Sequence, residues 1–95
     1  MEKKKAHEEK LQAQLDEWDA KIDTLKAKAS KAEADAKVNY HETIEELEKK
    51  RADAKKRLQE FREASDDAWT ELKSGLDKAW SNLGSAVKSA TEKFK

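Results

Sequence analysis

The chain contains no cysteine and no proline, and it has two glycines among its 95 residues. The absence of cysteine excludes a disulfide scaffold. Because glycine and proline are prominent in tight turns, their scarcity also excludes turn-rich β-sandwiches and α/β domains. Aromatic residues make up 6% of the chain and hydrophobic residues 36%, from which we predict too few apolar side chains for a compact, enclosed core.

A long hydrophobic run is also missing. No segment approaches the roughly 20 consecutive apolar residues that a transmembrane helix needs. The first residues, MEKKK, are followed by further charged residues rather than by an apolar segment, so we expect no secretory signal peptide. These features predict a cytoplasmic protein.

Neither sign of charge is in excess. The 21 Lys and Arg residues balance the 21 Asp and Glu residues, and a net charge of zero argues against a dedicated nucleic-acid-binding protein. Residues 1–47 carry nine lysines against twelve acids, a charge of −3, and residues 48–95 carry twelve basic residues against nine acids, a charge of +3. Halves of opposite sign favour antiparallel or staggered pairing of helices.

What the chain does contain is charge and helical periodicity. Charged residues make up 44% of the sequence, and a composition rich in Ala, Glu, Lys, Leu and Arg is typical of long helices and coiled coils. On a helical wheel the apolar residues occupy one arc, about a third of the circumference wide, which we call the apolar stripe. Since such a stripe has to be covered, we predict that it is an interface to a second copy, in a homo-oligomer, or to another helical protein. The predicted interface residues are Leu11, Leu15, Trp18, Ile22, Leu25, Tyr40, Ile44, Leu47, Leu58, Phe61, Trp69, Leu72, Leu76, Trp80, Leu83, Val87 and Phe94.

Residues 1–64 have the spacing of a coiled coil. Over residues 11–36 and again over residues 44–61 the apolar positions follow heptad spacing. From Ala32 to Ile44, three successive steps of four residues form a stutter, which locally unwinds a coiled coil. Arg51 lies on the apolar seam, either as a determinant of register or with its head group extended to water. We therefore predict one long heptad-patterned helix over residues 1–64.

Residues 65–95 have a different period. The pair Ala68-Trp69 recurs eleven residues later as Ala79-Trp80, and leucines follow both pairs. An eleven-residue repeat has about 3.67 residues per turn, which predicts a nearly straight amphipathic helix. Because lysines lie off its apolar face, residues 68–95 are suited to an anionic membrane surface. The alternative is that the same face packs against the first helix or a second chain.

Few residues interrupt the helical pattern. Ser65, Asp66 and Asp67 are poor helix formers and give the strongest break signal, and residues 38–41 give the second. The predicted fold class is all-α, with a long coiled-coil-type helix that is either unbroken or folded as a helical hairpin with a break near 65–67. Unbroken, the chain would be a rod of about 140 Å at 1.5 Å per residue.

The sequence offers no candidate catalytic, metal-binding or cofactor-binding residues. Nucleophile motifs and glycine-rich phosphate loops are absent. His7 lies near the amino terminus, and His41 with Glu45 provides less than the ligand set of a helical-bundle metal protein. The basic run over residues 49–62 lacks interleaved aromatics for base stacking, so we expect it to face the acidic amino-terminal half in an assembly. The prediction is a non-enzymatic structural or scaffolding protein that requires no cofactor.

Two family resemblances add to this prediction. The segment LQAQLDEW at residues 11–18, an Ala- and Lys-rich middle and the two Ala-Trp pairs resemble small bacterial coiled-coil proteins of uncharacterised or stress-response description. The eleven-residue repeat over residues 68–95 is similar to those of exchangeable apolipoproteins and late-embryogenesis-abundant proteins. The second resemblance implies adsorption to lipid or protection during drying, and it gives an alternative function as a peripheral membrane-surface or stress-protective helix. Neither resemblance supplies catalytic residues.

Overall fold

The computed structural model of the chain describes residues 2–65 and 67–95, which form three α-helices and, within those ranges, no strand. They are α1 (Glu2–Lys31), α2 (Ala34–Glu63) and α3 (Trp69–Lys93). The prediction of an all-α fold is confirmed. The helices form a three-helix bundle with dimensions of 51 × 18 × 17 Å.

The three helices run up, down and up. Gln12, early in α1, contacts Arg62 at the end of α2, and Lys26, late in α1, contacts Glu48 in the first half of α2, so α1 and α2 are antiparallel. The amino-terminal halves of α1 and α3 contact each other, so these two helices are parallel. Helix α2 packs more extensively against α3 than α1 does, which leaves the α1–α3 seam the most open.

The bundle has an enclosed core, and the prediction that the chain is too polar for one is wrong. A helix in a bundle needs an apolar residue only about every third or fourth position, and three such helices enclose a core jointly. Burying each large aliphatic or aromatic side chain contributes about 1.5–3 kcal/mol. The described core residues, five from each helix, are Leu11, Leu15, Ile22, Leu25, Ala29, Ile44, Leu47, Ala54, Leu58, Phe61, Leu76, Trp80, Leu83, Val87 and Ala90.

The predicted single helix over residues 1–64 is broken in two. Helix α1 ends at Lys31 and α2 begins at Ala34, so the break falls at the stutter in the heptad spacing. Reversing the chain here lets the stripe of α1 and the stripe of α2 cover each other, which neither a rod nor a single hairpin with a break near 65–67 would do. Residues 38–41, the second predicted weak point, lie inside α2.

The two turns between the helices differ in how they are held. The α1–α2 turn, residues 32–33, contains Glu33 in an extended conformation (φ −69°, ψ 160°), and its side chain makes no capping hydrogen bond to α2. The α2–α3 turn, residues 64–68, includes the break predicted near 65–67, of which Asp66 lies outside the described residues. In that turn the carbonyl of Ser65 accepts hydrogen bonds from the backbone N–H groups of Ala68 (3.1 Å) and Trp69 (3.2 Å).

Candidate interaction surface

The predicted interface residues lie mostly inside the bundle. Twelve of them are buried, and four are half-buried at the edge of the core. Leu72 differs from the rest, because 37% of its surface is exposed. His7 of α1 is level with Asp77 of α3, so Leu72 lies level with the first residues of α1, at the end of the bundle. The half-buried residues are Trp18, Tyr40, Trp69 and Phe94.

Two tryptophans join α1 to α3. The indole N–H of Trp80 donates a buried hydrogen bond to the backbone carbonyl of Leu11 at 3.1 Å, so the polar atom of this core side chain is satisfied. Trp18 lies beside it, with ring centroids 6.3 Å apart. A Cβ atom at position 84 would lie 2.9 Å from Cζ2 of Trp18, so only glycine allows the ring to lie this close to the α3 backbone.

The ends of the bundle are closed by aromatic pairs. At one end the rings of Tyr40 and Phe94 stack with centroids 4.0 Å apart. At the other end Phe61 meets Trp69 edge to face, with centroids 5.9 Å apart. Edge-to-face and offset-stacked pairs contribute about 0.5–1.5 kcal/mol beyond the area that they bury. The carboxyl-terminal helix is therefore anchored to α2 at both of its ends.

Arg51 sets the register between α1 and α2. Its guanidinium donates two hydrogen bonds to the carboxylate of Asp19, and both side chains are partly buried. The hydrogen bond with Asp19 raises the pKa of the Arg51 guanidinium above its usual value. Because two-point contacts between guanidinium and carboxylate are directional, the pair fixes how far the two helices slide along each other. Of the two roles predicted for Arg51, the geometry matches the determinant of register.

The basic run of α2 is partly neutralised within the chain. Arg62 donates a hydrogen bond of 2.7 Å to the side chain of Gln12, and Arg57 is paired with Asp53 one turn earlier. The contacts of Arg51 and Arg62 direct part of the run toward the acidic amino-terminal half of the same chain, whereas the Arg57–Asp53 pair stays within α2. The predicted meeting of the two halves in an assembly stays a prediction.

The two histidines have different surroundings. His7 Nε2 is 2.7 Å from Oδ1 of Asp77, and its ring meets the edge of Phe61, so it bridges α1, α2 and α3. His41 is exposed on α2. Within residues 2–65 and 67–95, no group of three or more His, Cys, Asp or Glu side chains is placed to bind a metal ion.

Two clefts follow the helix seams. The α2–α3 cleft has a volume of about 460 Å³ and is lined by small α3 residues facing Glu46 and Lys50. The α1–α3 cleft has a volume of about 450 Å³ and passes Trp18 and Lys88. Both volumes fall within the range of small-molecule sites, about 300–1,000 Å³. Both clefts are shallow and open to solvent, whereas catalytic sites exclude water from converging groups.

The chain gives no match to protein-family models, to curated proteins or to solved structures. The resemblances to bacterial coiled-coil proteins and to lipid-adsorbing repeats therefore stay predictions. In the described part of the chain, no helix is both long enough and apolar enough to cross a bilayer.

Three contacts between the helices could not be predicted from the sequence. Gly84 carries only a weak signal, because a glycine inside a helix costs about 1 kcal/mol relative to alanine, and Gly75 in the same helix has the same cost without the same contact. Asp19 carries none, because its partner depends on the register between α1 and α2. The ammonium of Lys4 donates to the backbone carbonyls of Ala64 (2.6 Å) and Arg62 (3.2 Å), a contact that depends on where α2 ends.

Proposed function

We propose that the protein is a non-enzymatic structural protein that associates with copies of itself by pairing helices through the apolar stripe. The observation that carries this proposal is the continuity of the buried layer, which runs from Leu11 in α1 to Ala90 in α3. Each helix presents the same kind of apolar face, so a helix from a second copy meets the same chemistry as a helix of the same chain.

The outer faces of the bundle support pairing through the stripe rather than through the surface. Exposed ion pairs one helical turn apart, such as Glu17–Lys21 and Glu45–Lys49, lie on the outer faces of α1 and α2. Among the described residues, the large hydrophobic side chains that are exposed are Val38 and Leu72. They lie toward opposite ends of the bundle, so they form no joint patch for docking. Association that buries much apolar area therefore has to use the stripe.

Sedimentation velocity over a wide concentration range tests this proposal. We expect dimers or larger species to grow with protein concentration, and small-angle scattering with mass determination reports their length. A single monomeric species at every concentration, with the radius of gyration near the 15.3 Å of the Cα atoms, would contradict self-association. Substitution of Leu47 by Glu is unsuitable here, because Leu47 is buried within the single chain and its loss would also unfold the monomer.

A second candidate function is attachment of α3 to an anionic membrane surface. The supporting observation is that α3 separates its faces well, with Leu76, Trp80 and Val87 buried and Lys73 and Lys88 exposed. Attachment would require α3 to leave the bundle, because those apolar residues face α1 and α2 in the closed form.

Vesicles containing brominated acyl chains test this second candidate. Bromine quenches tryptophan fluorescence on contact, so attachment of α3 should quench Trp69 and Trp80 with anionic vesicles and less so in high salt. Neutral vesicles of the same acyl composition are the control. Fluorescence unchanged by anionic vesicles would remove this candidate and would leave self-association untouched. A cytoplasmic location is part of either proposal.

A further inference from the structure

The α1–α2 turn is built from residues that favour a helix. Its two residues are Ala32 and Glu33, and Lys31 and Ala34 flank them. Alanine is the strongest helix former, and Glu and Lys are close behind it. Glycine, proline, serine and asparagine, the residues that normally end helices or make turns, are absent from these four positions.

This turn also lacks a side-chain cap at the start of α2, which Glu33 precedes. No residue in the described ranges has a positive φ angle, so α1 does not end in the left-handed conformation that commonly closes a helix. Two backbone bonds border the turn: Ala32 N–H donates to the carbonyl of Ala29 at 3.2 Å, three residues back, and Lys37 N–H donates to the carbonyl of Glu33 at 2.9 Å. The break is therefore imposed by the packing of α1 on α2 and α3, against the preference of its own residues.

The apolar stripe continues through the turn. Ala29, Ala32, Ala36 and Tyr40 stay on one side of a helix drawn without a break. A helix running from α1 straight into α2 would thus keep all its apolar residues on a single face. Its length over residues 2–63 would be about 90 Å at 1.5 Å per residue, against 51 Å for the closed bundle.

From these observations we propose that two copies of the chain exchange α1, and that in the exchanged dimer α1 and α2 fuse into one continuous helix. Each α1 then packs on α2 and α3 of the second copy, where it makes the contacts that it makes within the closed chain. The pairs Arg51–Asp19 and His7–Asp77 form again between copies. The exchange differs from the closed form chiefly at residues 32–33, whose preference for helix favours the dimer.

This inference rests on the proposed self-association and names its route. The α2–α3 turn is a poorer hinge, because Ser65 holds the start of α3 through its carbonyl and through its hydroxyl, which accepts the N–H of Ala68 at 3.3 Å. Exchange of α3 is therefore not expected. The chain opens at the α1–α2 turn, where Glu33 makes no side-chain bond to the helix that follows it.

Ala34→Pro tests the fused helix. Proline is favoured at the first position of a helix, and the extended Glu33 (ψ 160°) has the conformation that a residue before proline prefers. The closed monomer should therefore keep its circular dichroism and its melting temperature. Inside a fused helix the same proline removes a hydrogen bond and clashes with the preceding turn, so the dimer should weaken on the order of 100-fold or more. Glu33→Ala is the matched control and should dimerise at least as well as the natural chain.

Zero-length cross-linking distinguishes exchange from docking. Lys26 Nζ and Glu48 Oε1 lie 2.5 Å apart across the α1–α2 interface, and a carbodiimide joins such a pair directly. Unlabelled and ¹⁵N-labelled chains are mixed, unfolded, refolded at high concentration, and the dimer is isolated, cross-linked and digested. Exchange predicts that half of the Lys26–Glu48 products carry one labelled and one unlabelled peptide. The pair Lys49–Glu45, within α2, is the internal control and should never mix labels.

Each outcome has a distinct meaning. Mixed Lys26–Glu48 products from the dimer, together with loss of the dimer in Ala34→Pro, establish the exchange. A dimer whose Lys26–Glu48 products are unmixed, or one that Ala34→Pro leaves equally tight, overturns the exchange while self-association stands. Monomer alone after refolding at every concentration overturns both proposals.

Discussion

The two turns of this bundle reverse the chain by different means. In the α2–α3 turn, the carbonyl and the hydroxyl of Ser65 bind the backbone of the residues that begin α3. In the α1–α2 turn, the side chain of Glu33 makes no capping bond and the surrounding residues favour a helix. A chain reversal can therefore be specified by the residues of the turn itself or imposed by the packing of the core. Only the first kind is visible in a short stretch of sequence.

The largest loss of stability is expected when the core packing beside the α2–α3 turn is removed. Phe61 is fully buried and its ring contacts His7 and Trp69. Phe61→Ala should lower the free energy of unfolding by about 3–5 kcal/mol, measured by urea denaturation. Phe94→Ala, at the opposite end and half-buried, is the control and should cost less. A loss below 1 kcal/mol for Phe61→Ala would mean that local bonds alone hold the α2–α3 turn.

One added methyl group at position 84 should weaken the packing of α3 on α1. Gly84→Ala gains about 1 kcal/mol of helix propensity, but the new Cβ would lie 2.9 Å from the Trp18 ring, and overpacking of this kind costs about 1–3 kcal/mol. We expect a net loss of about 1 kcal/mol by urea denaturation, with faster hydrogen exchange in α1 than in α2.

Gly75→Ala is the matched control for this substitution. A Cβ at position 75 would meet only the end of the Arg57 side chain, at 3.3 Å, and that group can move aside. This variant should therefore be as stable as the natural chain, or up to about 1 kcal/mol more stable. Equal effects of the two substitutions would show that the contact of Trp18 with α3 does not hold α1 in place.

The hydrogen bonds from Lys4 join the start of α1 to the end of α2. Lys4→Met keeps most of the aliphatic stem but removes the donor to Ala64 and Arg62. The free energy of unfolding should fall by about 1 kcal/mol, since a positive charge at the carboxyl-terminal end of a helix also interacts favourably with the helix dipole. Lys5→Met, on the exposed side of α1, should have no measurable effect. Identical melting temperatures for the two variants would contradict a structural role for this ammonium.

The smallest expected effect is the most direct comparison of the turns. Ser65→Ala removes a side-chain acceptor and should lower stability by about 0.5 kcal/mol, whereas Glu33→Ser supplies the missing cap and should raise stability by about 0.5–1 kcal/mol. Both are measured as shifts in the urea midpoint at constant slope. Changes of the same sign would show that the α1–α2 turn is already satisfied.

Local sequence signals predicted only part of this structure. Helical spacing identified the apolar stripe, because the residues of a buried helical face recur every three or four positions whatever covers them. The polar residues around Ser65 marked one reversal. The reversal at Ala32 and Glu33 was missed, since nothing in those residues opposes a helix and only the stutter in spacing coincides with it.

The partners across the core could not be predicted for a different reason. The contact of Arg51 with Asp19 depends on antiparallel register, and that of Trp18 with Gly84 depends on a parallel neighbour. Each requires the helix order in space, which follows from the sum of all buried contacts rather than from any one segment. The prediction of too few apolar residues for a compact, enclosed core is wrong because the apolar stripes of three helices share one interior.

Because each helix runs opposite to the one before it and there are three helices in the described chain, Glu2 and Lys95 lie at opposite ends of a bundle 51 Å long. Anything tethered to one terminus is thereby kept apart from anything tethered to the other. A force drawn between the two ends would act along the helix axes, so the core would resist it in shear, with many side chains loaded at once, instead of peeling apart one contact at a time.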